Sequence, residues 1–281
     1  MTARLKRFVN LWVDRFNRHV LLDHASAIAF NVLKAMVPLS LLGLALLGAL
    51  DEQKVWRQTI YPAIKPHLQQ ATANAIDVAA QKIFTTGTAG LLALASLMVI
   101  WYVSGSVRAV MGAINDIYET DETRRWTVRY PLSFGLAVVI GVCLVGAIVV
   151  VAAAPAVASN GVAGVVVSIG RWLVAIALLA LAVGLLVKFA PVTPRPNRWA
   201  TAGSVLVIVA WIGATLLFEL FVSHVANFKT AVGSLTVFLV LIGYIYTSSI
   251  IFLVGVELDE LLREDTAGQR GVLHVLFGYG R

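Results

Sequence analysis

Residues 131–159 read PLSFGLAVVIGVCLVGAIVVVAAAPAVAS, a run without a single charged side chain. A helix rises about 1.5 Å per residue, so roughly 20 apolar residues cross the ~30 Å hydrocarbon core of a bilayer. Five further apolar runs of similar length occupy residues 27–50, 87–112, 161–190, 200–223 and 232–258. Because a bilayer offers no water to backbone amides, runs of this length must be helical. The sequence therefore predicts an all-α, polytopic membrane bundle of six transmembrane helices.

The composition leaves no room for a soluble domain. Hydrophobic residues make up 59% of the chain and charged residues 13%, with a mean hydropathy of +0.85. We expect a cytoplasmic interfacial segment at 1–26, a transmembrane domain at 27–258 that includes an outer-side segment at 51–86, and a cytoplasmic tail at 259–281. Cys143 is the only cysteine and lies inside an apolar run, so the sequence offers neither a disulfide nor a cysteine metal site.

The basic residues indicate how the bundle is oriented. Across six spans, fourteen of the 22 Lys and Arg residues fall on the side of the N-terminus and five on the opposite side. The positive-inside rule then predicts a bacterial inner-membrane protein with both termini in the cytoplasm. The net charge of +7 is explained by this orientation, and we expect no nucleic-acid partner.

Two polar segments show helical amphipathicity. In the N-terminal segment, apolar side chains recur every three or four residues among basic ones: Leu5, Phe8, Val9, Trp12, Phe16 and Val20. This spacing predicts a basic amphipathic helix in the inner interface. The outer-side segment repeats the pattern over 67–85, with Leu68, Ala71, Ala75, Ile76, Ala79, Ile83 and Phe84. That second helix is either a lid over the outer mouth or a connection whose apolar side rests on the bundle.

Ionisable residues within or at the ends of the spans are the candidate functional groups, because their burial in a membrane is unfavourable. The topology brings a polar set to similar depth, namely Lys34, Arg108, Asn115, Asp116 and Glu257, and helical spacing places Asn31 on one stripe with Lys34. The predicted site residues are Asn31, Lys34, Arg108, Asn115 and Glu257. They would line a polar cavity open to the cytoplasmic leaflet, or they would form structural pairs such as Arg108 with Glu257. Glu219, near the outer end of the fifth span, would carry a proton or cation, or would pair with Arg171.

Several short stretches resemble the YihY/BrkB family of multi-pass inner-membrane proteins. They are AIAFNVLKAMVP at 27–38, AINDIY at 113–118, residues 191–198, GSL at 233–235 and GVEL at 255–258. The resemblance extends over nearly the whole chain and implies a membrane bundle. It implies no settled activity, since the family names refer to serum-resistance virulence and an older ribonuclease label is regarded as mistaken. Lys34 stands where the family more often carries a small or hydroxyl residue.

The residues themselves favour transport over catalysis. RNA hydrolysis requires a metal cluster or paired acid–base groups, but the five histidines are scattered and no HxE, HExxH or Walker motif occurs. We expect no enzymatic activity, no cofactor and no metal. The leading hypothesis is a transporter-like protein whose inner cavity accepts an anionic membrane lipid. The alternatives are an ion or proton antiporter that uses Glu219 and Glu257, and a non-transporting scaffold that recruits a second copy or an envelope protein.

Overall fold

The computed structural model describes residues 13–85, 88–157, 162–193, 202–224 and 231–266. Its main helices are α1 (Leu21–Ala49), α2 (Gln70–Thr85), α3 (Thr88–Ile117), α4 (Trp126–Val157), α5 (Val162–Phe189), α6 (Ala202–His224) and α7 (Ala231–Thr266). All of these except α2 are long and apolar enough to cross a membrane. The predicted all-α bundle of six candidate spans is confirmed.

Several helices extend beyond the predicted spans. Helix α1 begins at Leu21 rather than at residue 27, α3 continues to Ile117, and α4 begins at Trp126. Helix α7 continues to Thr266, so residues 259–266 belong to the last helix. The predicted spans are shorter because they followed hydrophobicity, whereas the extensions include polar residues such as His24, which pairs with Asp116, and Glu260, which pairs with Arg263.

The N-terminal segment is not continuous with α1. Residues 13–18 are helical, but Val20 has a φ of 48°, in the left-handed region that β-branched residues rarely occupy. This turn bends the segment against the bundle, where Phe16 packs on the main hydrophobic core. The predicted apolar residues Leu5, Phe8, Val9 and Trp12 lie outside the described residues, and Val20 is exposed.

The bundle is built around α1, α3 and α7, which pack on one another. Helix α4 lies on α3, α5 lies on α4, and α6 lies on α7. We call the end where residues 13–20 meet Asp116 and Glu257 the proximal end, and the opposite end, which holds Trp56 and Phe84, the distal end. The main core lies toward the proximal end and includes Leu21, Ile28, Met111, Ile114 and Leu253.

The segment between α1 and α3 is packed on the distal end of α1. Short helical turns over 53–67 lead into α2, and Trp56 and Phe84 form a small second core with Leu44 and Leu47 of α1. The Trp56 indole N–H also donates to Asp77 Oδ1 at 2.8 Å. The predicted amphipathic helix is present, but its buried face is centred on Ala73, Ala80 and Phe84, and the predicted positions 71, 75 and 79 are exposed.

Helices α6 and α7 cross at two glycines. A Cβ atom at Gly203 would overlap the carbonyl oxygen of Gly255, and one at Gly255 would overlap the Val207 side chain. The Gly203 N–H donates to Asp259 Oδ1 at 2.7 Å, which satisfies one amide at the start of α6. Small residues at a crossing let the two backbones approach closely, as is typical of helix contacts in membranes.

Candidate functional site

Arg108 lies within α3, nine residues before its end, or about 14 Å from the proximal end of that helix. Its Nη1 donates to Ser104 Oγ at 2.9 Å and to Ser133 Oγ of α4 at 3.0 Å. Its guanidinium carbon is 4.4 Å from the Tyr130 ring centroid and 5.9 Å from those of Trp101 and Phe134. Three aromatic rings and two hydroxyls therefore hold this cation in place.

Asn31 of α1 lies beside Arg108. A Cβ atom at Gly105 would be 3.2 Å from Asn31 Oδ1 and 3.7 Å from Arg108 Nη2, so both polar groups lie next to this glycine. The Asn31 Nδ2 group donates to the Ala27 carbonyl at 2.8 Å. This bond fixes the amide so that its oxygen points toward α3.

Lys34 lies one helical turn beyond Asn31, thirteen residues into α1 and about 20 Å from the start of that helix. Its Nζ is 4.6 Å from the Phe30 ring centroid and 5.9 Å from the Tyr102 ring centroid. In the part of the chain that the structure describes, neither Lys34 nor Arg108 forms an ion pair with a carboxylate. We call Asn31, Lys34, Arg108 and the aromatic rings around them the membrane cation site.

A second group of charges lies at the proximal end. Glu257 of α7 is fully buried, and its Oε2 is 2.8 Å from Nδ1 of the buried His19. Arg15 approaches the other carboxylate oxygen of Glu257 at 4.0 Å. His24 Nε2 lies 2.6 Å from Asp116 Oδ2 at the end of α3. The segment before α1 is thus joined to α7 through Glu257, and α1 itself is joined to the end of α3 through His24 and Asp116.

Asn115 organises the loop that follows α3. Its Nδ2 donates to Glu122 Oε2 at 3.1 Å, and its Oδ1 accepts the N–H of Val192, beyond α5, at 2.9 Å. Arg124 binds Glu122 at 2.8 Å and also donates to the Ala190 carbonyl. Burial acts to raise the pKa of Glu122, but the hydrogen bonds and charge of Arg124 outweigh it and the pKa is lowered. Asn115 therefore ties the proximal ends of α3 and α5 together.

A family model described as virulence factor BrkB matches residues 12–273. The chain belongs to the BrkB family.

Two curated relatives of this BrkB-family chain are described in cautious terms. A protein of Bacillus subtilis (strain 168), called putative ribonuclease-like protein YfkH, is 22% identical over 92% of this chain and 95% of its own length. A protein of Alkalilimnicola ehrlichii, called UPF0761 membrane protein, is 25% identical over 89% of this chain and 56% of its own length, so the chain spans about half of that relative. No solved structure gives a significant match.

The five predicted site residues of this BrkB-family protein fall into two places. Asn31, Lys34 and Arg108 form the membrane cation site, whereas Asn115 and Glu257 belong to the proximal charge network. The alternative ion pair between Arg108 and Glu257 does not form, because Arg108 binds two serines and Glu257 binds His19. The position of each residue along its helix could be predicted from the sequence. Which helix faces are in contact could not.

Glu219 is exposed on α6, away from both groups of residues. One turn earlier, Thr215 donates to the Trp211 carbonyl at 2.7 Å and lies 3.1 Å from the Tyr244 hydroxyl. Within the described residues the predicted pair with Arg171 is not formed, and the Arg171 guanidinium lies 5.9 Å from the Trp172 ring. The described residues also contain no group of three or more His, Cys, Asp or Glu side chains arranged to hold a metal ion.

Two residues that form contacts within these two groups were not predicted from the sequence. His19 was treated as one of five scattered histidines, although it is buried against Glu257, 238 residues away in the chain. Ser133 was not among the predicted site residues, although it accepts a hydrogen bond from Arg108. A local signal existed only for Ser133, since hydroxyl residues in membrane helices commonly bond across helices.

Proposed function

We propose that this BrkB-family membrane protein binds an anionic amphiphile, such as a phospholipid with an anionic head group, at the membrane cation site and has a transporter-like role. The observation that carries the proposal is that Lys34 and Arg108 lie on adjacent membrane helices without a carboxylate partner among the described residues. Cations at membrane depth are unfavourable unless something compensates them, and a bound anion would do so.

The surroundings of the two cations support a ligand that arrives from the lipid. Phe30 is 61% exposed and Trp101 is 55% exposed, so rings that contact Lys34 and Arg108 also form part of the outer surface of the bundle. An amphiphile can place its acyl chains along this surface and its head group near the cations. A water-soluble anion gains nothing from these rings.

The free donors of Arg108 suit an anion that offers two oxygens, such as a phosphate. Nη1 is occupied by two serine hydroxyls, so Nη2 and Nε remain to bind two oxygens of one anion. Asn31, fixed beside Nη2, narrows the space that an anion could occupy at this edge of the Arg108 guanidinium group. Because the positive-inside rule predicts a cytoplasmic proximal end, the lipid would come from the cytoplasmic leaflet.

The test compares three variants with the wild type by native mass spectrometry and by thermal unfolding. Lys34→Met and Arg108→Gln remove one cation each from the membrane cation site. Arg171→Gln is the matched control, because it removes a membrane arginine on α5, which packs on α4 rather than on α1 or α3. Each protein is offered phosphatidylglycerol and phosphatidylcholine with identical acyl chains.

We expect Lys34→Met and Arg108→Gln to lose most of their preference for the anionic lipid and to keep their binding of the zwitterionic one. Arg171→Gln should keep the wild-type preference. If both site variants fold with wild-type melting temperatures and retain the anionic preference, the head-group role is excluded. If their stability falls while the preference remains, the two cations are structural.

A further inference from the structure

We propose that His19, Glu257 and Glu119 form a proton-binding site that fastens residues 13–20 to the proximal ends of α3 and α7, and that loss of the proton releases this segment. The site is separate from the membrane cation site, and the proposal does not depend on lipid binding.

The His19 ring lies between two carboxylates from different parts of the fold, hydrogen-bonded to one and close to the other. Its side chain is only 4% exposed. Nδ1 is hydrogen-bonded to Glu257 Oε2 on α7 at 2.8 Å. Nε2 is buried without a hydrogen-bond partner among the described residues, and Glu119 Oε1, just beyond the end of α3, lies 3.7 Å from it. His19 itself belongs to the segment that bends at Val20, so the ring joins three elements that are distant in the sequence.

The protonation state of the ring decides how many of these contacts it can satisfy. A neutral imidazole has one N–H and can donate to one carboxylate, whereas an imidazolium donates from both nitrogens. Glu257 is fully buried, and its Oε1 has no hydrogen-bond partner among the described residues. The other cation facing it, Arg15, is at 4.0 Å. Deprotonation of His19 therefore leaves a buried carboxylate poorly compensated.

The remaining charges around His19 are mostly acidic. Asp116 and Asp121 approach from the end of α3 and the loop that follows it, and they line an open pocket of about 230 Å³ that reaches His19. Arg18, on the same segment as His19, also lines the pocket but is paired with Asp14 at 2.8 Å. Asp116 is paired with His24, and Glu260 of α7 with Arg263. The open pocket provides a route by which water and protons reach the ring.

These surroundings set the direction of the pH response. The hydrogen bond to Glu257 raises the pKa of His19, and this effect outweighs burial and the charge of Arg15, which lower it. A group whose pKa is raised on docking contributes fully below its ordinary pKa of about 6.5, and its contribution is lost as the pH rises through the raised value. Residues 13–20 should therefore be held most tightly below the ordinary pKa and should loosen as the pH rises through the raised pKa, which would uncover the core contact of Phe16.

The experiment is hydrogen–deuterium exchange of the full chain in lipid nanodiscs from about pH 6 to about pH 9, corrected for intrinsic exchange rates. In the wild type, protection of the peptide covering residues 13–20 should fall by up to about tenfold per pH unit between the ordinary and the raised pKa of His19, and should level off above the raised pKa. In His19→Gln the same peptide should show low protection that does not change with pH. His24→Gln is the matched control, since it removes the neighbouring histidine–carboxylate pair, and it should keep the wild-type profile.

If the protection of residues 13–20 in the wild type does not change with pH, the proposal is overturned by the wild-type data alone. A His19→Gln protein that keeps the wild-type pH dependence would also overturn it. If His19→Gln does not fold, Glu257→Gln is the alternative test variant. Removing the buried carboxylate should also abolish the pH dependence of protection. A wild-type profile in Glu257→Gln would assign the titration to other groups and contradict the proposal.

Discussion

Replacing Gly203 by alanine tests the close crossing of α6 and α7. The added methyl group would overlap the Gly255 carbonyl oxygen and would also meet the Asp259 carboxyl group. Neither partner moves easily, because one is backbone within a helix and the other is held by its bond to the Gly203 N–H. Helix α6 must therefore shift away from α7.

The loss of stability can be estimated from two contributions. Overpacking a tight contact costs about 1–3 kcal/mol. Loss of the hydrogen bond from the Gly203 N–H to Asp259, which acts as a cap from another helix, adds about 0.5–2 kcal/mol. We expect Gly203→Ala to be destabilised by roughly 2–4 kcal/mol in total, since the two effects share one displacement and do not add fully.

Gly213→Ala provides the control on the same helix. A Cβ atom at Gly213 has no neighbour within 4 Å, so alanine there should be neutral or should stabilise the helix by up to ~1 kcal/mol. The assay is thermal unfolding of wild type and both variants in the same lipid nanodiscs. Equal melting temperatures for Gly203→Ala and Gly213→Ala would refute the close crossing. Asp259→Asn, which keeps the shape but weakens the acceptor, measures the capping contribution separately.

Two further predictions concern the proximal end. Because Arg124 lowers the pKa of Glu122 despite burial, Glu122 stabilises the fold above its ordinary pKa of about 4.3, and this contribution is lost as the pH falls through the lowered value. Glu122→Gln should therefore melt below the wild type at neutral pH, with the difference vanishing in acid; a difference that is constant with pH would contradict this. For topology, single cysteines in a Cys143→Ala background should react with a membrane-impermeant thiol reagent in intact cells at position 229 and not at position 123. Labelling at position 123 would contradict the cytoplasmic assignment of the proximal end.

The number and type of membrane helices could be predicted from the sequence because each span has to satisfy its backbone alone. A run such as residues 131–159 carries enough apolar side chains to cross a bilayer, whatever its neighbours are. The ends of the helices were predicted less accurately than their number. The polar turns at 21–26 and 259–266 are helical because they pack against the proximal end, and hydrophobicity gives no sign of that.

The candidate site was predicted in part. Helical spacing placed Asn31 and Lys34 on one stripe of α1 and singled out Arg108 as a membrane cation. In the structure Asn31 and Arg108 both lie next to Gly105, and Lys34 lies near the Phe30 and Tyr102 rings. The prediction also grouped Glu257 with them because it used depth alone. Depth follows from position along a helix, but the face that a side chain presents to its neighbour depends on how the helices are rotated and packed.

The sequence by itself thus determined six spans, the charge asymmetry and the identity of the membrane cations, all of which are properties of single segments in a bilayer. Only the tertiary structure decided that Arg108 is bound by serines and aromatic rings, and that Glu257 is paired with His19. It also decided that α6 and α7 touch at Gly203 and Gly255. These contacts join residues far apart in the chain, and in lipid they depend on close packing and hydrogen bonds between helices rather than on hydrophobicity.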